Sequence, residues 1–250
     1  MKNAKFIVPN TLTLINLFLG CIAIVVLFKG NEYNASWFIF LAAIFDLFDG
    51  LAARALKAKS EFGVQLDSLA DLVSFGVAPS MILFNWFVLV LTQKSSTYDF
   101  ISANFSQKLI LFSSLLFALA VAIRLARFNV TTNGSRTFQG LTSTAAGLMV
   151  AAVWLVWGST EESERVMPII LNIYFVYGFL AFMIILMLSK IRMISLKFRG
   201  VSFSANVNQY IIIIVSAALI LIFKTDGVLY SLVFYLLYSI IMNFFPSAEA

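Results

Sequence analysis

The sequence predicts an all-α protein, a polytopic membrane helical bundle of about eight transmembrane helices with both termini cytoplasmic. Of the 250 residues 61% are apolar and only 12% carry charge, a balance foreign to water-soluble domains. Apolar runs of spanning length recur between short polar breaks, and Lys and Arg gather in alternate breaks.

A bilayer core asks for roughly 20 mostly apolar residues per helix. Such runs fall at residues 12–28, 35–56, 67–92, 108–126, 140–159, 167–189, 208–223 and 227–245. The first follows Lys2 and Lys5 as a signal peptide would, but no small-x-small cleavage pattern comes after it. Phe28-Lys29-Gly30-Asn31-Glu32 reads as a turn instead, so the run counts as a span. The last two runs are separated only by Lys224-Thr225-Asp226-Gly227, which is either a tight turn between spans or a re-entrant kink.

Charge tests this count independently. With the N-terminus inside, the cytoplasmic segments hold Lys2, Lys5, Arg54, Lys57, Lys59, Arg124, Arg127, Arg136, Lys190, Arg192, Lys197 and Arg199, twelve of the 17 basic residues. The loop after the fifth run, on the opposite side, is acidic at Glu161, Glu162 and Glu164. No repeat, low-complexity tract or long linker divides the chain, so residues 1–250 read as a single membrane domain.

Composition also excludes chemistries. With no histidine and a single cysteine, Cys21, the chain has no His-based acid–base catalysis, no Ser-His-Asp triad, no Cys/His zinc site and no internal disulfide. The net charge of +5 in so apolar a chain suits anionic lipid headgroups and orientation rather than nucleic acid. The stretch Lys190 to Arg199 fits a membrane face in the same way.

Four of the twelve acidic residues, Asp46, Asp49, Asp67 and Asp71, fall within 26 residues on or against spanning runs. An Asp at mid-span costs about 2.5–3.5 kcal/mol, so four together imply a compensating partner. On a helix Asp46, Asp49, Gly50, Ala53 and Arg54 share one face, and Gly63, Asp67 and Asp71 share another. The short loop between the two runs makes them antiparallel neighbours, with both acidic faces near the cytoplasmic third of the bilayer. Gly50, Ala53 and Gly63 remove bulk there, for close backbone approach or for a flat phosphate-bearing ligand. Oxygen ligands without His or Cys select Mg²⁺ or Mn²⁺, whose natural counter-ligand is a diphosphate, and Arg54 adds a planar cation for a phosphate oxygen. Two other readings stay open on spacing alone: structural acids paired with Arg54, Lys57 or Lys59, and the ion path of a cation-coupled transporter. Against the second, the inverted repeats and matched broken helices of transporters are missing.

These positions spell Asp46-x2-Asp49-Gly50-x2-Ala53-Arg54-x8-Gly63-x3-Asp67-x3-Asp71, and with them the chain resembles the CDP-alcohol phosphatidyltransferases, integral membrane enzymes of phospholipid synthesis. Every fixed position of that signature is filled. The likeness extends through residues 1–150, spans one to five, as a catalytic core; residues 151–250 add further C-terminal spans. The resemblance implies a divalent-metal site of Asp46, Asp49, Asp67 and Asp71, with Asp71 also the general base. It implies that Arg54 touches the diphosphate and that Gly50, Ala53 and Gly63 pack close to the CDP moiety. Pro9-Asn10-x-Leu12-Thr13-x2-Asn16 opens span one as in many members, which favours Asn10, Thr13 and Asn16 lining the nucleotide pocket over merely capping and packing a Pro-led helix start.

Asp67 to Ser80, Arg124-Leu125-Ala126-Arg127-Phe128-Asn129 and Phe138-x-Gly140-Leu141 are similar to the serine-using branch of that family. This implies CDP-diacylglycerol and L-serine as substrates, membrane lipids as surroundings, a bacterial inner membrane with the site facing the cytoplasm, and a homodimer as in many relatives. A serine site needs cations for the carboxylate; Arg124 and Arg127, at i and i+3, suit that role or that of positive-inside anchors. Asn129 and Ser74 are further acceptor-site candidates. The chain departs from the branch at Thr142-Ser143-Thr144-Ala145-Ala146, where relatives commonly carry prolines.

Overall fold

The computed structural model describes residues 4–58, 60–92, 103–131, 140–159, 168–194 and 206–243. All regular structure among them is helical, as predicted. Helix α1 is Ala4–Leu27 and α2 is Glu32–Ala55, joined by a tight turn in which Asn31 caps α2 by accepting from the Asn34 N–H at 3.0 Å. Helix α3 is Glu61–Thr92, α4 is Phe105–Val130, α5 is Ser143–Ser159 and α6 is Ile173–Leu188.

Two local signals close the α2–α3 connection. Lys57 takes a left-handed conformation (φ 50) past the end of α2, and the Ala58 N–H reaches back to the Ala53 carbonyl at 2.8 Å. Ser60 then caps α3, its hydroxyl accepting from the Gly63 N–H at 3.0 Å. This cap starts α3 at Glu61, six residues ahead of the apolar run read from residue 67, because helix propagates into polar sequence once its first turn is held. Asp67 is therefore inside the helix rather than at its edge.

Helix α3 changes register where it enters the core. Residues Leu72–Val77 form a π-helical turn, closed by the Ala78 N–H on the Val73 carbonyl. Pro79 explains it: without an N–H it cannot bond the Phe75 carbonyl, and its ring would strike that oxygen in a regular α-helix. Periodicity alone gave no warning of this turn.

The helical stretch Val207–Ile241 is broken at Lys224 (φ 52, ψ −123) into α7, residues 207–223, and α8, residues 225–241. The two run antiparallel, because the Tyr238 hydroxyl donates to Asn208 Oδ1 at 2.8 Å across 30 residues of sequence. A straight helix would hold them about 45 Å apart. The turn between the seventh and eighth apolar runs is thus a hairpin, and among the described residues eight principal helices account for the eight runs.

Helix α3 is the most buried of the long helices, touching α1, α2, α4, α5 and α6. Its Phe75, Ile82, Leu83, Trp86 and Phe87 are fully buried. Trp86 donates to the Ile170 carbonyl at 2.9 Å and packs against Trp154, Phe175 and Phe179. Outward faces are apolar instead: Phe18, Leu119, Ile185 and Leu221 are exposed, as expected where lipid replaces water. The protein is an integral membrane protein. The acidic loop of Glu161, Glu162 and Glu164, the basic residues Lys2, Lys59, Arg136, Lys197 and Arg199, Phe138 and both termini lie outside the described residues.

Candidate active site

The antiparallel pair α2 and α3 brings the acidic faces together. One carboxylate oxygen from each of Asp46, Asp49 and Asp67 lies within 4.8 Å of the others, a separation one cation can bridge. Asp71, one turn beyond Asp67, is in hydrogen-bonding range of Asp46. The cluster is partly sheltered, with Asp49 only 5% and Asp71 8% exposed and Asp46 and Asp67 half-buried, so water screens the carboxylates only in part. It sits about 9–15 Å from the helix ends that meet at the α2–α3 loop, six to ten residues along each rod.

Helix α1 supplies the neutral partners. The Thr13 hydroxyl donates to Asp49 Oδ2 at 2.6 Å, and Asn16 Nδ2 donates to Asp71 Oδ1 at 3.3 Å. Both side chains are buried, and Asn16 Oδ1 has no hydrogen-bond partner. Spacing at i and i+3 puts them on one face, which packs along both acidic helices. Ser74, fully buried in the π turn, donates to the Asn16 carbonyl at 3.0 Å and so braces α1 against α3.

The remaining predicted residues take distinct places. A Cβ on Gly50 would meet nothing within 4 Å, so this glycine leaves open room; one on Gly63 would come to 3.1 Å from Ser60 Oγ and 3.4 Å from Asn10 Oδ1. Ala53 is half-buried and Arg54 exposed at the cytoplasmic-loop end of α2. An open cavity of about 430 Å³ between α1 and α3 is lined by Phe6, Ile7, Asn10, Ser60 and Phe62. Arg124, on α4, is half-buried with Asp71 and Tyr235 as its electrostatic neighbours, and its Nε has no hydrogen-bond partner. Arg127 is exposed one turn further on. Asn129 Nδ2 donates to Ser68 Oγ at 2.9 Å, tying the end of α4 to α3 beside Asp67.

Two residues that no motif marked also stand at the site, one against the cluster and one beside Arg124. Thr144, in the first turn of α5, is in hydrogen-bonding range of Asp46. Tyr235, buried on α8, donates to the Ile194 carbonyl at 3.1 Å beside Arg124. Periodicity marks neither, since both arrive from helices remote in sequence.

The donor set is all hard oxygen in a chain without histidine, and its spacing matches one ion, so the residues present fit a divalent cation. The CDP-alcohol phosphatidyltransferase profile matches residues 6–188, nearly three quarters of the chain. The chain belongs to that family. It is 31% identical over 251 residues to the CDP-diacylglycerol–serine O-phosphatidyltransferase of Helicobacter pylori, covering 96% of this chain and 92% of the relative. The Bacillus subtilis protein of the same name is 36% identical over 141 residues, 56% of this chain and 71% of its own. Archaetidylserine synthase of Methanothermobacter thermautotrophicus is 31% identical over 175 residues, 69% and 68% of the two chains. In this membrane-enzyme family the aspartate cluster is an arrangement that can hold a metal ion.

Proposed function

We propose that this protein transfers the phosphatidyl group of CDP-diacylglycerol to the hydroxyl of L-serine, releasing CMP, on the cytoplasmic side of the membrane. The observation that carries the reading is the placement of Arg124, half-buried on α4, in the electrostatic neighbourhood of Asp71. Serine places a carboxylate and a hydroxyl only a few bonds apart. A cation adjoining a carboxylate base engages both ends of that molecule at once. The names of the relatives from Helicobacter pylori and Bacillus subtilis support the same acceptor.

Asp46, Asp49 and Asp67 would hold a Mg²⁺ or Mn²⁺ ion, and Asp71 would be available to a second. Bound there, such an ion supplies positive charge to the diphosphate and to the departing CMP. The residues of the chain do the rest. Asn10 and the Phe6, Ser60 and Phe62 walls of the cavity receive the nucleotide, Gly50 leaves room for the diphosphate, and Gly63 lets α3 approach Asn10. Arg54 adds charge at the phosphates. Arg124 fixes the serine carboxylate, with Arg127, Asn129 and Ser74 at the margin of the acceptor site. Asn16 orients Asp71, which takes the proton of the serine hydroxyl as that oxygen bonds to the lipid-side phosphorus and the bond from phosphorus to CMP breaks. The acyl chains remain among lipid tails throughout. The basic residues Arg54 and Lys57 at the α2–α3 loop support a cytoplasmic orientation of the site, and the family a bacterial inner membrane.

The test is CMP release by the purified protein in detergent with CDP-diacylglycerol, labelled serine and Mn²⁺ or Mg²⁺. Serine-dependent release with label entering lipid is expected. Release only with glycerol phosphate, inositol or choline would reassign the acceptor; no release with any alcohol, alongside cation flux in vesicles, would replace the reading with a transporter.

A further inference from the structure

We propose that Thr144 is a positioning residue that sets the orientation of Asp46 for metal binding; this rests on the metal site of the preceding section. Four observations converge on it. A Cβ on Gly147 would lie 2.9 Å from the Phe75 carbonyl oxygen and 3.0 Å from Phe75 Cα, so α5 is seated against α3 with no side chain between them. Thr144 precedes Gly147 by three residues and so shares the face pressed into the bundle. Helix α5 also packs along α2, the helix that carries Asp46, and the Thr144 hydroxyl comes into hydrogen-bonding range of that carboxylate. Finally, the capping of α5 falls to Thr142, whose Oγ1 accepts from the Ala145 N–H at 3.2 Å.

A threonine hydroxyl has one proton to give. Donated to one oxygen of Asp46, it fixes the side-chain rotamer and leaves the other oxygen turned toward Asp49 and Asp67. An outer hydrogen bond of this type commonly contributes 10–100-fold to metal affinity. Sequence position 144 thereby joins a fourth helix, α5, to a site otherwise built from α1, α2 and α3.

The experiment is Mn²⁺ titration of the purified full-length protein by electron paramagnetic resonance, without substrate, for wild type, Thr144→Val, Thr144→Ser and Asp49→Asn. Valine keeps the shape and removes the donor; serine keeps the donor. The proposal expects Thr144→Val to weaken Mn²⁺ about tenfold and Thr144→Ser to stay within about twofold of wild type. Unchanged affinity in Thr144→Val, or equal loss in both variants, overturns it while the metal site stands, provided Asp49→Asn loses the ion. Absence of Mn²⁺ binding in wild type overturns the metal site itself, and this inference with it.

Discussion

The Thr13 hydroxyl on α1 donates to Asp49 Oδ2 on α2 at 2.6 Å, shorter than the 3.3 Å bond from Asn16 to Asp71 and made between residues 36 apart in sequence. A bond so short to a buried carboxylate fixes the direction in which its other oxygen points. Thr13 therefore belongs with the carboxylates as much as with any nucleotide pocket.

Replacing Thr13 by Val removes this donor while keeping the side-chain volume. The metal concentration giving half-maximal CMP release should rise about tenfold, with the maximal rate much less affected. An unchanged metal requirement would show that Asp49 needs no orienting partner.

Asp71→Asn retains the shape and the hydrogen-bond contact with Asn16 but cannot take a proton. Turnover should fall by at least about 10²-fold while CDP-diacylglycerol binding stays measurable by equilibrium dialysis. Near-normal turnover would remove Asp71 from the role of base.

Gly140 links the approach to α5 with the end of α6. It holds φ 74, its N–H donates to the Ile191 carbonyl at 2.8 Å, and the following Leu141 N–H donates to the Leu186 carbonyl at 3.0 Å. A Cβ at this position would lie 2.5 Å from the Met187 carbonyl oxygen. Gly140→Ala should cost about 1–2 kcal/mol from the left-handed backbone alone, and more from the collision, read as a lower Tm in detergent.

Lys224 presents the opposite case, a side chain where glycine would be at ease. Its φ of 52 with ψ −123 lies in a region that costs a non-glycine residue about 1–3 kcal/mol. After allowing for the greater freedom of glycine in the unfolded chain, Lys224→Gly should raise stability by about 1 kcal/mol. A lower Tm would argue against the α7–α8 hairpin.

Much of this molecule was legible in one dimension. Eight apolar runs gave eight helices because hydrocarbon leaves a backbone few alternatives to satisfying its own hydrogen bonds. Helical spacing assembled Asp46 with Asp49 and Asp67 with Asp71, and the short loop required the two faces to oppose each other. Limits appeared where local chemistry competed with hydropathy: Ser60 began α3 before its apolar run, and Pro79 imposed a π turn that no periodicity announces.

The sequence by itself determined the class of fold, the acidic cluster and its preference for a hard cation, since these follow from composition and from contacts within a turn or across one loop. Tertiary structure alone decided which neutral groups serve that cluster. Thr13 and Asn16 reach it from α1, Thr144 from α5, and Arg124 stands beside it flanked by Tyr235 of α8. Spacing along a rod specifies which side chains share a face, but the face a distant rod presents depends on how all the rods pack, through close approaches such as Gly147 on Phe75 that no single segment encodes.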